Sequence, residues 1–330
     1  MNNEFSYKFD RSQWLASKGF LSRTPIFLDL RFWIDMVEHR DANHIKLKEL
    51  LTRMVEEQRV ICPVSPTLLL ELKKQPDSEK RTKCCQLMDE LSKGLSIRNW
   101  LVIFKDEFKA RVEGRQIEQG FGYSHFIEAF SAGMEFFFDK SWTDDQARNY
   151  IFAYLDNALI SDVVGIEIDE DKVGSMTFFR DGLSKIAEQK KIWGRDHPGE
   201  WNIVEQAEFG ATLQVILPQI FNVATEVPFS ILEFQTTTSA KEKTDLLNRC
   251  STFWCHHQLT TALRSNRSSL NENDLWDSEH ATSALPYVKC FACDAGTRHV
   301  CSDVLKLDEK YETKVISKVN DLIVWLETFS

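Results

Sequence analysis

The chain is predicted to be α/β, a parallel sheet flanked by helices, with a large α-helical insertion that splits the sheet between two stretches of sequence. Three observations lead there. A strand–helix–strand–helix order occupies residues 25–74, a long stretch with only helical periodicity follows, and strand–helix alternation returns near residue 273. Such alternation favours parallel strands joined by crossover helices. The expected boundaries are an N-terminal arm at 1–21, a discontinuous α/β core at 22–105 and 265–330, and the insertion at 106–264.

The first strand is Ile26-Phe27-Leu28, a short apolar run opened by Pro25 and closed by Asp29, as suits a strand buried on both faces. Phe32, Trp33, Met36 and Val37 then recur at helical spacing. In 44–58, Leu47, Leu50, Leu51, Met54 and Val55 share one face of an amphipathic helix. VICPV at 60–64 is a second buried strand, after which Ser65 is placed to cap, and Pro66 to open, the helix TLLLELKK. NWLVIF at 99–104 has the composition of a further strand. Segments 143–157, 173–191, 203–222 and 241–264 have helical periodicity, and the polar stretch 265–274 is the clearest loop. The α/β pattern resumes with the helix DLWDSEHATSALPY and the strand VKCFAC at 288–293. A helix RHVCSDVLK, a strand at 314–316 and a closing amphipathic helix VNDLIVWLETF follow.

A charge of −10 excludes nucleic-acid attraction over the whole surface and leaves it to local basic patches or a bound metal. No run of about 18 apolar residues is present, and MNNEFSYKFDRSQWL lacks the apolar segment of a signal peptide. The expectation is a cytoplasmic protein, without membrane contact, whose eight cysteines are reduced thiols.

Open parallel sheets hold ligands at the carboxyl ends of their strands, near the switch in strand order. Asp29 and Asp294 each directly follow an apolar strand, Glu71 lies on the helix after VICPV, and Asp277 opens the helix after the polar loop. Taken singly, each has a plainer explanation: a helix N-cap for Asp29 or Asp294, a solvated helix face for Glu71, a first-turn acid for Asp277. Brought together, four carboxylates would raise one another's pKa values unless a cation offset them. A set of oxygen donors suits Mg²⁺ or Mn²⁺, and such ions activate water for attack on a phosphodiester.

These segments resemble the PIN-like nuclease superfamily, which includes the toxin ribonucleases of bacterial toxin–antitoxin pairs. The resemblance rests on FLDLRFWI, VSPTLLLELKK, NDLWDSEHATSALPYVKCFACDAG and the strand KVIS, and the helical middle carries none of it. It implies a PIN-like core in which Asp29, Glu71, Asp277 and Asp294 are the catalytic, metal-binding acids, with Mg²⁺ or Mn²⁺ as cofactor. Asp274 is an alternative to Asp277, since NDLWD offers both within one turn, but D-x-x-H-A-x-x-A-L would turn Ala281 and Ala284 toward the sheet. The chain departs from the family at Arg31, Lys289 and Cys293. Arg31, Lys289 and His280, one turn after Asp277, are the candidate substrate-binding residues. The function implied is a nuclease acting on RNA more than DNA, within a toxin or defence system, with a regulatory protein partner and as a homodimer. The alternative is a PIN-like scaffold that binds RNA or a protein without cutting.

Cys290-x2-Cys293 with His299 and Cys301, and CSTFWCHH at 250–257, have the residue types of a zinc site, but a single C-x-x-C within a strand points its thiols to opposite faces. Buried structural thiols are expected. GFGY at 120–123 is a turn, and the aromatic stripes FIEAF and MEFFF are expected as packing between inserted helices. P-loop, dinucleotide and nucleophile-elbow motifs are absent from the sequence.

Overall fold

The computed structural model describes residues 4–118, 120–129, 134–139, 141–164, 201–226, 240–266 and 272–329. Its centre is a four-stranded sheet, all parallel, built from β2 (Thr24–Leu28), β3 (Val60–Ile61), β7 (Cys290–Ala292) and β8 (Lys314–Ile316) in the order β3-β2-β7-β8. The remaining strands, β1 (Glu4–Lys8), β4 (Leu95–Ile97), β5 (Tyr123–His125) and β6 (Glu135–Asp139), form two antiparallel pairs, β1-β6 and β4-β5. Ile26, Phe27 and Leu28 are fully buried, as are Phe291 and Ala292 beside them, so neither face of the middle strands meets water. Each such large side chain contributes on the order of 2 kcal/mol by leaving water.

The helices that flank the sheet have capped starts. Asp29 caps Leu30–Val37, Asp41 caps Ala42–Glu56 through the Asn43 and His44 amides, and Ser65 caps Pro66–Lys73. Leu30–Val37 packs on Ser78–Ser92, and Ala42–Glu56 packs on Val319–Glu327. The helix Glu272–Ala284 precedes β7, and β8 leads into Val319–Glu327.

Residues 99–104 are not a strand. Asn99 caps Leu101 N at 2.9 Å, and Trp100, Ile103, Phe104 and Phe108 bury one side of the helix Trp100–Val112. A cap followed by apolar residues three and four apart outweighs the strand-like composition of the six-residue window. This helix packs against Trp201–Glu226 and Ser251–Asn266 around a second core of Trp100, Phe104, Phe108, Ile216, Ile220, Val223, Leu247, Cys250 and Phe253. The stripe MEFFF is likewise no helix packing. Its last four residues lie in β6 against β1 in the N-terminal arm, with Phe137 exposed. The arm itself is anchored, for Trp14, Leu15 and Phe20 lie in the main core, where Phe126 of FIEAF also lies. The predicted strand 60–64 is a strand only at Val60–Ile61, with Val64 forming a separate bridge to Ser96. Helix 143–157 is present with a capping box at Thr143 and Gln146. The predicted helix 203–222 lies within Trp201–Glu226, and 241–264 is two helices, Ala240–Asn248 and Ser251–Asn266. At 265–274 both ends are helical, since Ser251–Asn266 runs in and Glu272–Ala284 begins, while 267–271 and the predicted helix 173–191 lie outside the described residues. All eight cysteines are unpaired and buried. Among the described residues no helix is long and apolar enough to cross a membrane.

Candidate metal centre

β2 and β7 are neighbours in space, with Leu28 opposite Ala292, although about 260 residues of chain (292 − 28 = 264) separate them. Strand order reverses between them, so their carboxyl ends form the crevice where parallel sheets hold ligands. Asp29 lies one residue past β2, its amide donating to Ala292 O at 2.9 Å. Its carboxylate accepts from Leu30 N at 2.7 Å, and Trp33 Nε1 ties the helix back to Leu28 O at 2.9 Å. Asp294 lies two residues past β7 and caps the short helix Ala295–Arg298, accepting from Gly296 N at 2.6 Å, Thr297 N at 3.2 Å and the Thr297 hydroxyl. Both acids therefore do act as N-caps, and the caps fix where the carboxylates sit, with one Asp29 oxygen outside its cap bond and both Asp294 oxygens accepting within its own turn.

Two helices complete the crevice. Pro66–Lys73 carries Glu71, and Glu272–Ala284 carries Asp277 and His280, three residues apart and so on one helix face. Ala281 and Ala284 on the latter helix are fully buried, and their small size allows close packing. His280 Nε2 donates to Glu71 Oε2 at 3.1 Å, with the imidazole only 2% exposed and the Glu71 side chain 32% exposed. Asp29, Glu71 and His280 each offer a ligand atom, all within 4.8 Å of one another.

The electrostatics join Asp277 and Asp294 to this group. Burial pushes the Asp277 carboxyl up to about 7, and the neighbouring charges of Asp294, Asp29 and Glu71 push the same way against His280. Asp29 is also raised, first by burial, then by Glu71 and Asp294, while His280 and the Leu30 amide oppose the rise. Burial disfavours a charge on His280, but its bond to Glu71 and the charges of Asp29, Glu71 and Asp277 together raise it above the ordinary histidine value. Carboxylate charges that raise Asp29 and Asp277 at a strand-end crevice, with ligand atoms of Asp29, Glu71 and His280 close enough for one ion, fit a divalent cation by the chemistry of the donor set.

The other predicted residues separate. Asp274 is buried one turn before Asp277 and lines a small hollow with it, Ser278 and Thr297. Asp277 shares the electrostatics of Asp294, Asp29 and Glu71. Arg31 has a 60% exposed side chain and faces Asp35 at 3.5 Å along its own helix, where Arg40 and His44 also converge. Lys289 does not belong to the crevice. It precedes β7, its amide bonded to Pro25 O, and so sits at the amino end of the sheet, about 16 Å of strand before Asp294. Three residues of strand separate one end of a sheet from the other, and nearness in sequence to Asp294 is misleading for that reason. His280 holds a place among the acids, which the i, i+3 spacing from Asp277 signals. Lys74, with its ammonium 4.1 Å from the Trp276 ring, brings positive charge beside the site helix; nothing within TLLLELKK signals that pairing with a residue about 200 positions away.

No protein-family model, curated protein or solved structure matches the chain.

Proposed function

We propose that the chain is a divalent-metal-dependent endonuclease with a PIN-like core, hydrolysing phosphodiester bonds in RNA before DNA. The observation that supports it most is the meeting of Asp29, Glu71 and His280 ligand atoms within 4.8 Å at the switch of strand order. Mg²⁺ or Mn²⁺, when held there, supplies Lewis-acid stabilisation of the phosphoryl transition state and a more acidic attacking water. The chain's own residues do the rest. Asp29, Asp277 and Asp294 present oxygens from two strand ends and a helix, each held by its cap or its burial. Glu71, hydrogen-bonded to His280, is placed to orient the attacking water. Lys73 and Lys74 follow Glu71 on its helix and provide local positive charge for phosphates that the net charge of −10 would otherwise repel. Ser251–Asn266 packs on Glu272–Ala284, so the inserted helices reach the site helix and can shape the substrate channel. Control by a partner protein, a homodimeric state and a toxin or defence setting follow from the resemblance to PIN-like nucleases alone.

One observation favours a second reading, a PIN-like scaffold without activity. His280, raised toward its charged form among the acids, can supply a positive charge from within and make an ion unnecessary. Cleavage separates the two. Wild type and Asp29→Asn are incubated with single-stranded RNA, tRNA and DNA plus Mn²⁺. Asparagine keeps the cap on Leu30–Val37, so the fold survives. The nuclease reading expects RNA cleavage that needs metal and drops about 100-fold or more in the variant. Cleavage that continues unchanged in Asp29→Asn overturns it, and no metal-dependent cleavage in wild type favours the scaffold.

A further inference from the structure

We infer that His280 Nε2 is itself a metal ligand, beside Asp29 and Glu71, and that the centre therefore takes a transition-metal ion such as Mn²⁺, Fe²⁺ or Zn²⁺ in preference to Mg²⁺. The inference rests on the proposed metal site and deepens it by naming the class of ion. An all-oxygen set of four acids leaves Mg²⁺ and Mn²⁺ equally suited, but the structure puts an imidazole among those acids.

Three features support the assignment. First, the donor atoms have ligand spacing. Atoms at 2.0–2.2 Å from one ion lie about 3 Å apart when adjacent and about 4.2 Å apart when opposite. The His280–Glu71 pair is 3.1 Å apart and the whole trio falls within 4.8 Å, so an ion needs only small side-chain shifts to touch all three, with Nε2 giving up its hydrogen bond to Glu71 and the neutral ring carrying its one proton on Nδ1. Second, the ring is placed rather than free. It is 2% exposed, on the same helix face as Asp277, and Phe27 of β2 holds its plane with ring centroids 5.8 Å apart. Its Nδ1 is buried without a hydrogen-bond partner among the described residues, so Nε2 is the nitrogen directed at the carboxylates. Third, the donors decide the metal. Imidazole nitrogen is a good ligand for Zn²⁺, Fe²⁺ and related ions, whereas Mg²⁺ demands oxygen ligands in a strict octahedron and keeps much of its water. A site that commits one of its buried positions to nitrogen favours the former.

Pulsed electron paramagnetic resonance on the full-length chain loaded with Mn²⁺ tests this without relying on activity. The expected result is ¹⁴N modulation from a directly bound imidazole, which changes to the ¹⁵N pattern when the histidines are ¹⁵N-labelled and disappears in His280→Gln. In parallel, the Mn²⁺ over Mg²⁺ preference, measured by competition, should fall about 10-fold or more in His280→Gln. If His280→Gln does not fold, the labelled wild type still tests the inference, because a bound ion without histidine coupling contradicts it. Bound Mn²⁺ with no nitrogen coupling, or Mg²⁺ competing as well as Mn²⁺ in wild type, overturns the inference while leaving the metal site standing. No Mn²⁺ bound at millimolar concentration overturns the inference and the metal reading together.

Discussion

A buried carboxylate and a cluster of half-buried ones behave oppositely in this molecule. Glu107, on Trp100–Val112, is 1% exposed and fully answered by donors. It accepts from Ser251 N and Thr252 N at 3.1 Å each, from the Thr252 hydroxyl at 2.5 Å and from Tyr287 OH at 2.9 Å. It thereby caps Ser251–Asn266 and ties the inserted helices to the end of Glu272–Ala284. Burial raises its pKa, and all four hydrogen bonds work against that rise. At the strand-end crevice, by contrast, Asp277 is surrounded mainly by other carboxylates, which add to the rise that burial begins. A buried acid met by amides and hydroxyls is a fastening. Half-buried acids facing one another cost stability unless an opposite charge offsets them, and the proposed cation rests on that cost.

The contrast is open to measurement. Glu107→Ala should have the largest effect, a loss of roughly 3 kcal/mol by chemical denaturation, because it strands four buried donors. A loss below about 1 kcal/mol would mean the fastening is not real. Nearly as large, Mn²⁺ at about 100 times its dissociation constant should stabilise wild type by about 2.7 kcal/mol in thermal melts, and Asp277→Asn should lose most of that gain. Without metal, Asp277→Asn should instead stabilise the protein at pH 8 by about 1 kcal/mol, opposite in sign to Glu107→Ala. The sign follows from the proton balance. Asp277 titrates at about 7 when folded and near 3.9 when unfolded. Between those values the folded state holds a proton the unfolded state has released, so stability is complete below pH ~4 and falls as pH rises through 7. Asp277→Asn should flatten that fall, though not remove it, because Asp29 and Glu107 are raised in the same direction. A pH profile identical to wild type would contradict the placement of Asp277 among the acids. The smallest effect is expected from Tyr287→Phe, which removes one of Glu107's four donors and should cost about 1 kcal/mol.

How much was legible beforehand follows the range of each interaction. The four core strands announce themselves as short apolar runs, and Asp29 and Asp294 show by directly following two of them that they meet at one end of a sheet. The helix Trp100–Val112 was mistaken for a strand because Asn99, its cap, looks like any polar boundary and the apolar residues after it are contiguous. Pairing of residues 4–8 with 135–139 leaves no local mark, since its partners are over a hundred positions apart, and three consecutive phenylalanines suggest core as readily as ribbon. Lys289 counts as a candidate substrate-binding residue by closeness in sequence to Asp294, yet it stands at the start of its strand and so at the amino end of the sheet. Glu107 gave a signal that could have been used: it falls on the same helical face as Trp100, Phe104 and Phe108, where an acid has no business unless donors await it. His280 was visible as a neighbour of Asp277, but its bond to Glu71, 209 positions away, depends on two helices meeting across the crevice.

Titration calorimetry with Mn²⁺ on metal-free wild type and Asp277→Asn tests most directly whether the crevice exists to hold a cation. A saturable binding event in wild type, weakened about 10-fold or more in Asp277→Asn while both melt as folded proteins, is the predicted result. No saturable heat in wild type at millimolar Mn²⁺, or equal affinity in the variant, would contradict it.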